Sequence, residues 1–304
     1  MKLAVIDLGT NTFNTLIAEN IDNQSFIDVY RERIHVNLAS EGIEKIGDAP
    51  YKRGLDAMRF FAEKIKEHDV AKVRAIGTAA LRTASNGTDF VAQVKAETGI
   101  SIEIIDGDEE ARLIYEGVRL AYPFGTENEL IIDVGGGSVE FIIANKNALV
   151  WEQSFPIGVA VLRNHFHKQE PIRATDIADI YAHFDSLLAP LFLALKKYPV
   201  RQLVGSSGTF DVLENIFVLE KTHPLHAFIS TENVKDFYEN IKYKTLEERF
   251  AMPDVPNSRA TMIVVAMVLI QYAVEKCNIE QIVTSSYAMK EGIMMRLVEN
   301  SVQD

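Results

Sequence analysis

Two stretches of the chain share one pattern of apolar and polar positions. Residues 4–6 form an apolar run that ends at Asp7, and residues 130–132 form an apolar run that ends at Asp133. Each aspartate precedes a turn rich in Gly, Thr or Ser, and a second apolar stretch follows at a constant offset of 126 residues (133 − 7 = 126). The pattern predicts two similar hairpins, each made of two strands and a glycine-containing turn.

The rest of each half alternates helical and extended patterns. In the first half Leu55, Met58 and Phe61 recur at helical spacing, which predicts an amphipathic helix. The elements predicted there are strands at 3–8, 12–18, 26–37, 72–75 and 101–105, with helices at 51–67, from 86 to Gly99, and through 111–118. The second half predicts strands near 130–134, 138–144, 148–155, 201–204 and 280–284, with helices near 175–197, 208–219, 232–241, 259–276 and from 287.

A second match strengthens the case for an internal duplication. Gly77-Thr78 corresponds to Gly205-Ser206 at an offset of 128 (205 − 77 = 128), close to the offset of the hairpins. Strands separated by helices imply a parallel part of a sheet, and the opening hairpin implies an antiparallel part. By analogy the sequence predicts an α/β protein of two duplicated ribonuclease-H-like lobes, each a mixed five-stranded sheet with helices on both faces, as in the actin-like ATPase fold.

The predicted boundaries follow from the duplication. Residues 1–123 form lobe I, completed by a C-terminal helix at 287–304, and residues 124–286 form lobe II. The link falls near Tyr122 and Pro123.

Composition narrows the class of protein. The 304 residues carry a formal net charge of −12 and one cysteine, which argues against nucleic-acid or anionic-membrane partners and against a disulfide framework. The longest apolar stretch, residues 261–274, contains Gln271 and is too short to cross a bilayer. With no signal peptide pattern after Lys2, the sequence predicts a cytoplasmic protein.

The turns suit phosphate chemistry. Glycine-rich turns present bare backbone N–H groups to an anion, and the adjacent carboxylates suit Mg²⁺, which binds hard oxygen ligands and bridges to phosphate. A tight hairpin without a ligand is the alternative, but three consecutive glycines cost chain entropy that such a hairpin does not require. The candidate phosphate-binding residues are Gly9, Thr10 and Asn11 in the first turn and Gly135, Gly136, Gly137 and Ser138 in the second.

Five ordered segments identify a family resemblance. They span residues 6–12, 77–82, 107–113, 132–140 and 205–209 and cover nearly the whole chain. Together they resemble the exopolyphosphatase/guanosine pentaphosphate phosphatase family, within the actin, sugar-kinase and heat-shock-chaperone ATPase superfamily, in its short two-lobe form. The chain departs from the family at Asn37 and Val161, where the family usually carries basic residues.

The resemblance implies roles for individual residues. It assigns Asp133 and Glu140 to Mg²⁺, with Asp7 opposite, and it makes Glu110 the base that accepts a proton from the attacking water. Glu109 is the rival, and acidic residues at a helix start are also favoured by the helix dipole alone. Arg82 is expected to contact phosphate, and the alternative for its side chain is a surface ion pair with Asp89. Gly205, Ser206, Gly208 and Thr209 are expected to contact phosphate or another part of the substrate.

The expected function is Mg²⁺-dependent hydrolysis of terminal phosphoanhydride bonds. The substrate is inorganic polyphosphate or guanosine pentaphosphate (pppGpp), and polyphosphate is favoured because no clear purine site can be read from the sequence. Two alternatives stay open: a kinase or ATPase of the same superfamily, and a polyphosphate- or alarmone-binding protein with little turnover. A homodimer is also possible.

Overall fold

Buried apolar strands form two sheets, one in each of the two units into which the chain divides. The computed structural model describes residues 1–22 and 25–300; residues 301–304, the end of the C-terminal helix predicted from the sequence, lie outside them. Unit 1 comprises Met1–Leu120, Gly135–Gly137 and Ala288–Asp304, and unit 2 comprises Ala121–Val134 and Ser138–Tyr287.

Unit 1 is built on a five-stranded mixed sheet. The strand order is β3-β2-β1-β4-β5; β1, β2 and β3 pair antiparallel, whereas β1, β4 and β5 pair parallel. Its elements are β1 (Lys2–Leu8), β2 (Thr12–Asn20), β3 (Phe26–His35), α1 (Asp48–Glu67), β4 (Lys72–Gly77), α2 (Ala79–Thr83), α3 (Gly87–Thr98), β5 (Ile102–Ile104), α4 (Gly107–Ala121) and the C-terminal α13 (Met289–Asn300).

The core of unit 1 follows the predicted spacing. Leu55, Met58 and Phe61 of α1 are buried and join one apolar cluster with Phe13 of β2 and Phe90 of α3. An amphipathic helix is stabilised mainly by burying its apolar face in this way.

Unit 2 is built on a six-stranded sheet with the strand order β10-β11-β9-β6-β7-β8. Its elements are β6 (Asn128–Val134), β7 (Val139–Ala144), β8 (Leu149–Phe155), α5 (Val159–Phe166), α6 (Ala174–Leu187), α7 (Ala189–Lys197), β9 (Val200–Ser206), α8 (Gly208–Phe217), β10 (His226–Ser230), α9 (Thr231–Ile241), α10 (Leu246–Phe250), α11 (Asn257–Ala260), α12 (Ile263–Lys276) and β11 (Gln281–Ser285). Strands β6, β9 and β11 pair parallel, and the others pair antiparallel.

The predicted α/β fold with two duplicated sheets is confirmed. Five strands of unit 2, read as β8-β7-β6-β9-β11, repeat the order of unit 1, and β10 adds a sixth strand at the edge that the sequence pattern did not predict. The helix predicted at 175–197 is two helices, which bend by 58° at Leu188. Pro190 lies in the first turn of α7, where a missing backbone N–H is tolerated. A continuous helix would place it in the interior, where its ring clashes with the preceding turn.

The C-terminal helix packs closely on the helix that begins near Glu110. A side chain on Gly117 of α4 would overlap the carbonyl of Ala288, and one on Gly292 of α13 would overlap the carbonyl of Leu113. Both glycines are therefore required by the close approach of two helix backbones inside unit 1.

Among residues 1–22 and 25–300, no single helix has the length and apolar composition needed to cross a membrane. The bent pair α6 and α7 reaches the criterion only when its two helices are taken together.

Candidate functional site

The first hairpin places Asp7 opposite Asn14. The two residues are direct cross-strand partners in β1 and β2, and Nδ2 of Asn14 donates to Oδ2 of Asp7 at 3.1 Å. Arg33 of β3 in turn donates from Nε to Oδ1 of Asn14 at 3.1 Å. Asn14 thus fixes one oxygen of the Asp7 carboxylate.

The loop that follows β3 donates backbone hydrogen bonds to the turn after β1. The backbone N–H of Asn37 donates to the carbonyl of Asn11 at 3.0 Å, and that of Leu38 donates to the carbonyl of Thr10 at 2.7 Å. Asn37 has φ = 50°, in the left-handed region that asparagine tolerates better than most residues. The departure from the family at position 37 therefore coincides with a special backbone conformation.

The second glycine turn, Gly135–Gly137, belongs to unit 1. A Cβ on Gly136 would lie 2.6 Å from Cγ of Asn11, and one on Gly137 would lie 2.6 Å from Oγ1 of Thr10. The structure therefore brings these two predicted turns together. Glycine is needed at 136 and 137 because of the protein's own side chains, a reason that the sequence pattern did not supply.

Glu110 and Arg82 meet in unit 1. Nη1 of Arg82 donates to Oε2 of Glu110 at 3.2 Å and to the carbonyl of Ile105 at 2.7 Å. Glu110 lies in the first turn of α4 with 7% of its surface exposed. The guanidinium of Arg82 therefore pairs with Glu110, the candidate base, and not with Asp89, the alternative partner.

Glu109 has a different environment from its neighbour. It forms an ion pair with Nη1 of Arg296 on α13, and the same guanidinium contacts Glu116 from Nε at 2.6 Å and from Nη2 at 2.7 Å. These carboxylates raise the pKa of Arg296 above its ordinary value, chiefly through the hydrogen bond with Glu116. Glu109 is therefore engaged by the packing of α13 on α4.

The second hairpin places Asp133 opposite Glu140 in unit 2. They are direct cross-strand partners, so their side chains leave the same face of the sheet about 5 Å apart. Both are buried, with 6% and 1% of their surfaces exposed. Each oxygen of Asp133 accepts one hydroxyl at 2.6 Å, from Ser206 and Ser207, and Glu140 accepts the hydroxyl of Ser154 at 2.7 Å.

The segment after β9 is closely packed and carries one unusual backbone conformation. Ser207 has φ = 75° and ψ = 174°, a combination otherwise found almost only in glycine. A side chain on Gly205 would overlap the ring of Phe210, and one on Gly208 would overlap the guanidinium of Arg259. The predicted residues Ser206 and Thr209 are buried here as well.

The carboxylates of unit 2 fit Mg²⁺ as a partial ligand set. In the part of the chain that the structure describes, no group of three or more His, Cys, Asp or Glu side chains is arranged to hold a metal ion. Mg²⁺ does not require such a cage, because it usually binds one or two carboxylates, several waters and the substrate phosphates. Two buried carboxylates on one face of a sheet, Asp133 and Glu140, match that requirement.

Sequence reasoning did not single out Asn14, Ser154 or Arg259, whereas Ser207 lies within the segment 205–209. For Asn14 a signal was present, since it follows Asp7 by seven residues as Glu140 follows Asp133. Ser154 is the cross-strand partner of Glu140 on the next strand, β8. Arg259 approaches Gly208 from the distant helix α11, and the local sequence offers no sign of that contact.

Comparison with known proteins places the chain in a phosphatase family. The model of the Ppx/GppA phosphatase family matches residues 16–301. The chain is 28% identical over 305 residues to the guanosine-5′-triphosphate,3′-diphosphate pyrophosphatase of Vibrio cholerae serotype O1, a match that covers 99% of this chain and 60% of the relative. The enzyme of that name from Aeromonas salmonicida is 29% identical over 305 residues, with 98% and 60% covered. The chain thus spans about 60% of the length of these relatives.

Two solved structures extend the comparison to the fold. An exopolyphosphatase from Cytophaga hutchinsonii superposes with a TM-score of 0.94 at 36% identity, with 99% of this chain and 98% of that chain covered. The Aquifex aeolicus member of the Ppx/GppA family superposes with a TM-score of 0.81 at 22% identity, with the same coverage.

Proposed function

Because the chain belongs to the Ppx/GppA phosphatase family, we propose that it hydrolyses the terminal phosphoanhydride bond of inorganic polyphosphate or pppGpp. The names of the relatives suggest both substrates. The Cytophaga hutchinsonii structure is named an exopolyphosphatase, and the curated relatives are named guanosine-5′-triphosphate,3′-diphosphate pyrophosphatases. The observation that carries the proposal is the buried Glu110 at the start of α4, in contact with Arg82.

In this proposal the carboxylate of Glu110 accepts the proton of the attacking water. The positive guanidinium of Arg82 stabilises the carboxylate anion, and only the anion can accept a proton. Arg82 also donates to the carbonyl of Ile105, so its position is fixed before substrate binds. It acts here by orienting Glu110.

Asp133 and Glu140 of unit 2 would hold Mg²⁺, whereas the metal-binding role of Asp7 in unit 1 stays a prediction from the sequence. When bound, the cation neutralises negative charge that develops on the phosphate oxygens. The hydroxyls of Ser206, Ser207 and Ser154 orient the two carboxylates of unit 2. Within unit 1, the backbone N–H groups of the two glycine turns would contact phosphate oxygens. Within unit 2, we propose phosphate contacts for Ser138, Gly205, Gly208 and Thr209.

The environment of Glu109 supports Glu110 as the base. Glu109 is held by Arg296, whereas Glu110 is held by Arg82. Two adjacent glutamates in one helical turn therefore point to different neighbours, and we assign a structural role to Glu109.

A matched pair of variants tests the assignment. Phosphate release is measured from long-chain polyphosphate and from pppGpp, with and without Mg²⁺, for the parent, Glu110→Gln and Glu109→Gln. We expect Glu110→Gln to fold normally and lose roughly 10²- to 10⁴-fold in kcat, and Glu109→Gln to stay within a few-fold of the parent. The reverse order, or Glu110→Gln within a few-fold of the parent, would show that another group is the base.

A cytoplasmic location and a possible homodimer belong to the same proposal. The single cysteine, Cys277, is buried, and its burial raises the pKa of the thiol to about 12, which suits a chain that forms no disulfide.

A further inference from the structure

A row of polar residues crosses the sheet of unit 2 near the carboxyl ends of its parallel strands. It runs from Asp133 on β6 to the outermost strand, β10. Asp133 of β6 is the partner of Ser206 on β9. In the pairing of β9 with β11, Gly205 is opposite Thr284; continuing this register by one residue sets Ser206 beside Ser285. Ser285 is the partner of His226 on β10. With strands about 4.8 Å apart, the backbone of His226 lies roughly 14 Å from that of Asp133 along the row.

An ordered pair of imidazoles lies at the far end of this row. The rings of His223 and His226 are stacked, with centroids 4.1 Å apart and planes inclined by 22°. Tyr122 and Phe228 contact the ring of His226 nearly edge-on, at 5.4 Å and 6.1 Å. His226 is thereby fixed between perpendicular aromatic neighbours.

Backbone hydrogen bonds set the orientation of both rings. Nδ1 of His226 lies 2.8 Å from the carbonyl oxygen of Ala121; because a carbonyl only accepts, this nitrogen carries the hydrogen. Nδ1 of His223 accepts the backbone N–H of Leu225 at 3.3 Å. His223 is exposed, so the stack turns a planar ring toward solvent instead of burying it.

We propose that His223 and His226 form a stacking platform for the purine ring of a nucleotide substrate. Nucleic-acid bases stack on planar side chains regardless of detailed hydrogen bonding, and the platform is offset from the carboxylates of Asp133 and Glu140 along the same sheet edge. A nucleoside polyphosphate likewise carries its ring at a distance from its terminal phosphate. Inorganic polyphosphate has no ring and does not use the platform.

This inference rests on the proposed function and narrows it, since it assigns the chain a nucleoside polyphosphate as a substrate. No clear purine site could be read from the sequence, and the proposed ring pair is formed by His223 of the loop before β10 and His226 of β10 itself.

Steady-state kinetics with two substrates and a direct binding assay test the platform. We compare the parent with His223→Ala, with His223→Phe, which keeps a planar ring, and with His165→Ala, which removes another exposed histidine of unit 2. KM and kcat are measured for pppGpp and for polyphosphate, and the Kd of guanosine 5′-diphosphate is measured by calorimetry. His223→Ala is expected to raise the KM for pppGpp and the Kd by about five-fold or more, with polyphosphate kinetics unchanged; His223→Phe and His165→Ala are expected to behave as the parent.

The outcomes separate the platform from the proposed function. Equal effects of His223→Ala on both substrates, or no effect on the Kd, would overturn the platform while phosphate release still supported the function. If the parent releases phosphate from neither substrate, the function fails, and the Kd of guanosine 5′-diphosphate in His223→Ala still decides the platform. A selective loss of pppGpp affinity establishes it.

Discussion

Ser207 combines a strained backbone with a hydrogen bond to a candidate metal ligand, and the two features have opposite effects on stability. Its hydroxyl donates to Oδ1 of Asp133 at 2.6 Å, a bond to a charged group that contributes about 1.5–3 kcal/mol. Its φ of 75° and ψ of 174° cost a residue with a Cβ about 1–3 kcal/mol. Replacement by alanine removes the hydrogen bond and keeps the backbone strain, whereas replacement by glycine removes both.

The adjacent Ser206 provides the matched control. It donates to the other oxygen of Asp133 at the same distance of 2.6 Å, but it lies in the regular strand β9. Glycine in a strand is less stable than alanine by about 0.5–1 kcal/mol, because it loses more chain entropy on folding. The order of alanine and glycine is therefore expected to invert between the two positions.

Equilibrium urea unfolding of four variants tests this reasoning. Ser207→Ala is expected to lose about 1.5–3 kcal/mol of unfolding free energy, and Ser207→Gly to be more stable than Ser207→Ala by about 1 kcal/mol after the entropy of glycine is subtracted from the released strain. Ser206→Gly is expected to be less stable than Ser206→Ala. Alanine more stable than glycine at both positions would refute the strain at Ser207, and unchanged stability of both alanine variants would refute the hydrogen-bond contribution.

Three further outcomes are expected. Gly292→Ala places a methyl group on the carbonyl of Leu113 and should lower the unfolding free energy by about 1–3 kcal/mol, measured by urea unfolding; full stability would contradict the close helix contact. Burial lowers the pKa of His167 below its ordinary 6.5, so the unfolded chain binds the proton first and stability falls as pH drops below about 6.5. In His167→Gln the fall in Tm between pH 7.5 and pH 5.5 should shrink, and an identical fall would exclude His167 as its source. Asn37→Gly should keep parent stability, whereas Asn37→Val should lose about 1 kcal/mol or more in the same urea assay, because φ = 50° excludes β-branched residues; equal stability of the two would contradict it.

The sequence by itself determined the duplicated hairpins and their acidic residues. Strand period and turn glycines are local signals, and they can be read from the sequence because each hairpin closes over few residues. The constant offset between Asp7 and Asp133 then shows that the same local pattern occurs twice. The same repeat contained Asn14 as the counterpart of Glu140. The fold class and the family resemblance follow from these segments and their order.

Tertiary structure alone decided which neighbours hold those residues. Arg296 distinguishes Glu109 from Glu110 across 187 residues of sequence, and Ser207 reaches Asp133 across 74 residues through the pairing of β6 with β9. The edge strand β10 and the His223–His226 stack depend on how a loop returns to the sheet. Such contacts arise from the packing of distant elements, and neither hydrophobic period nor turn composition along the chain specifies which distant side chains meet.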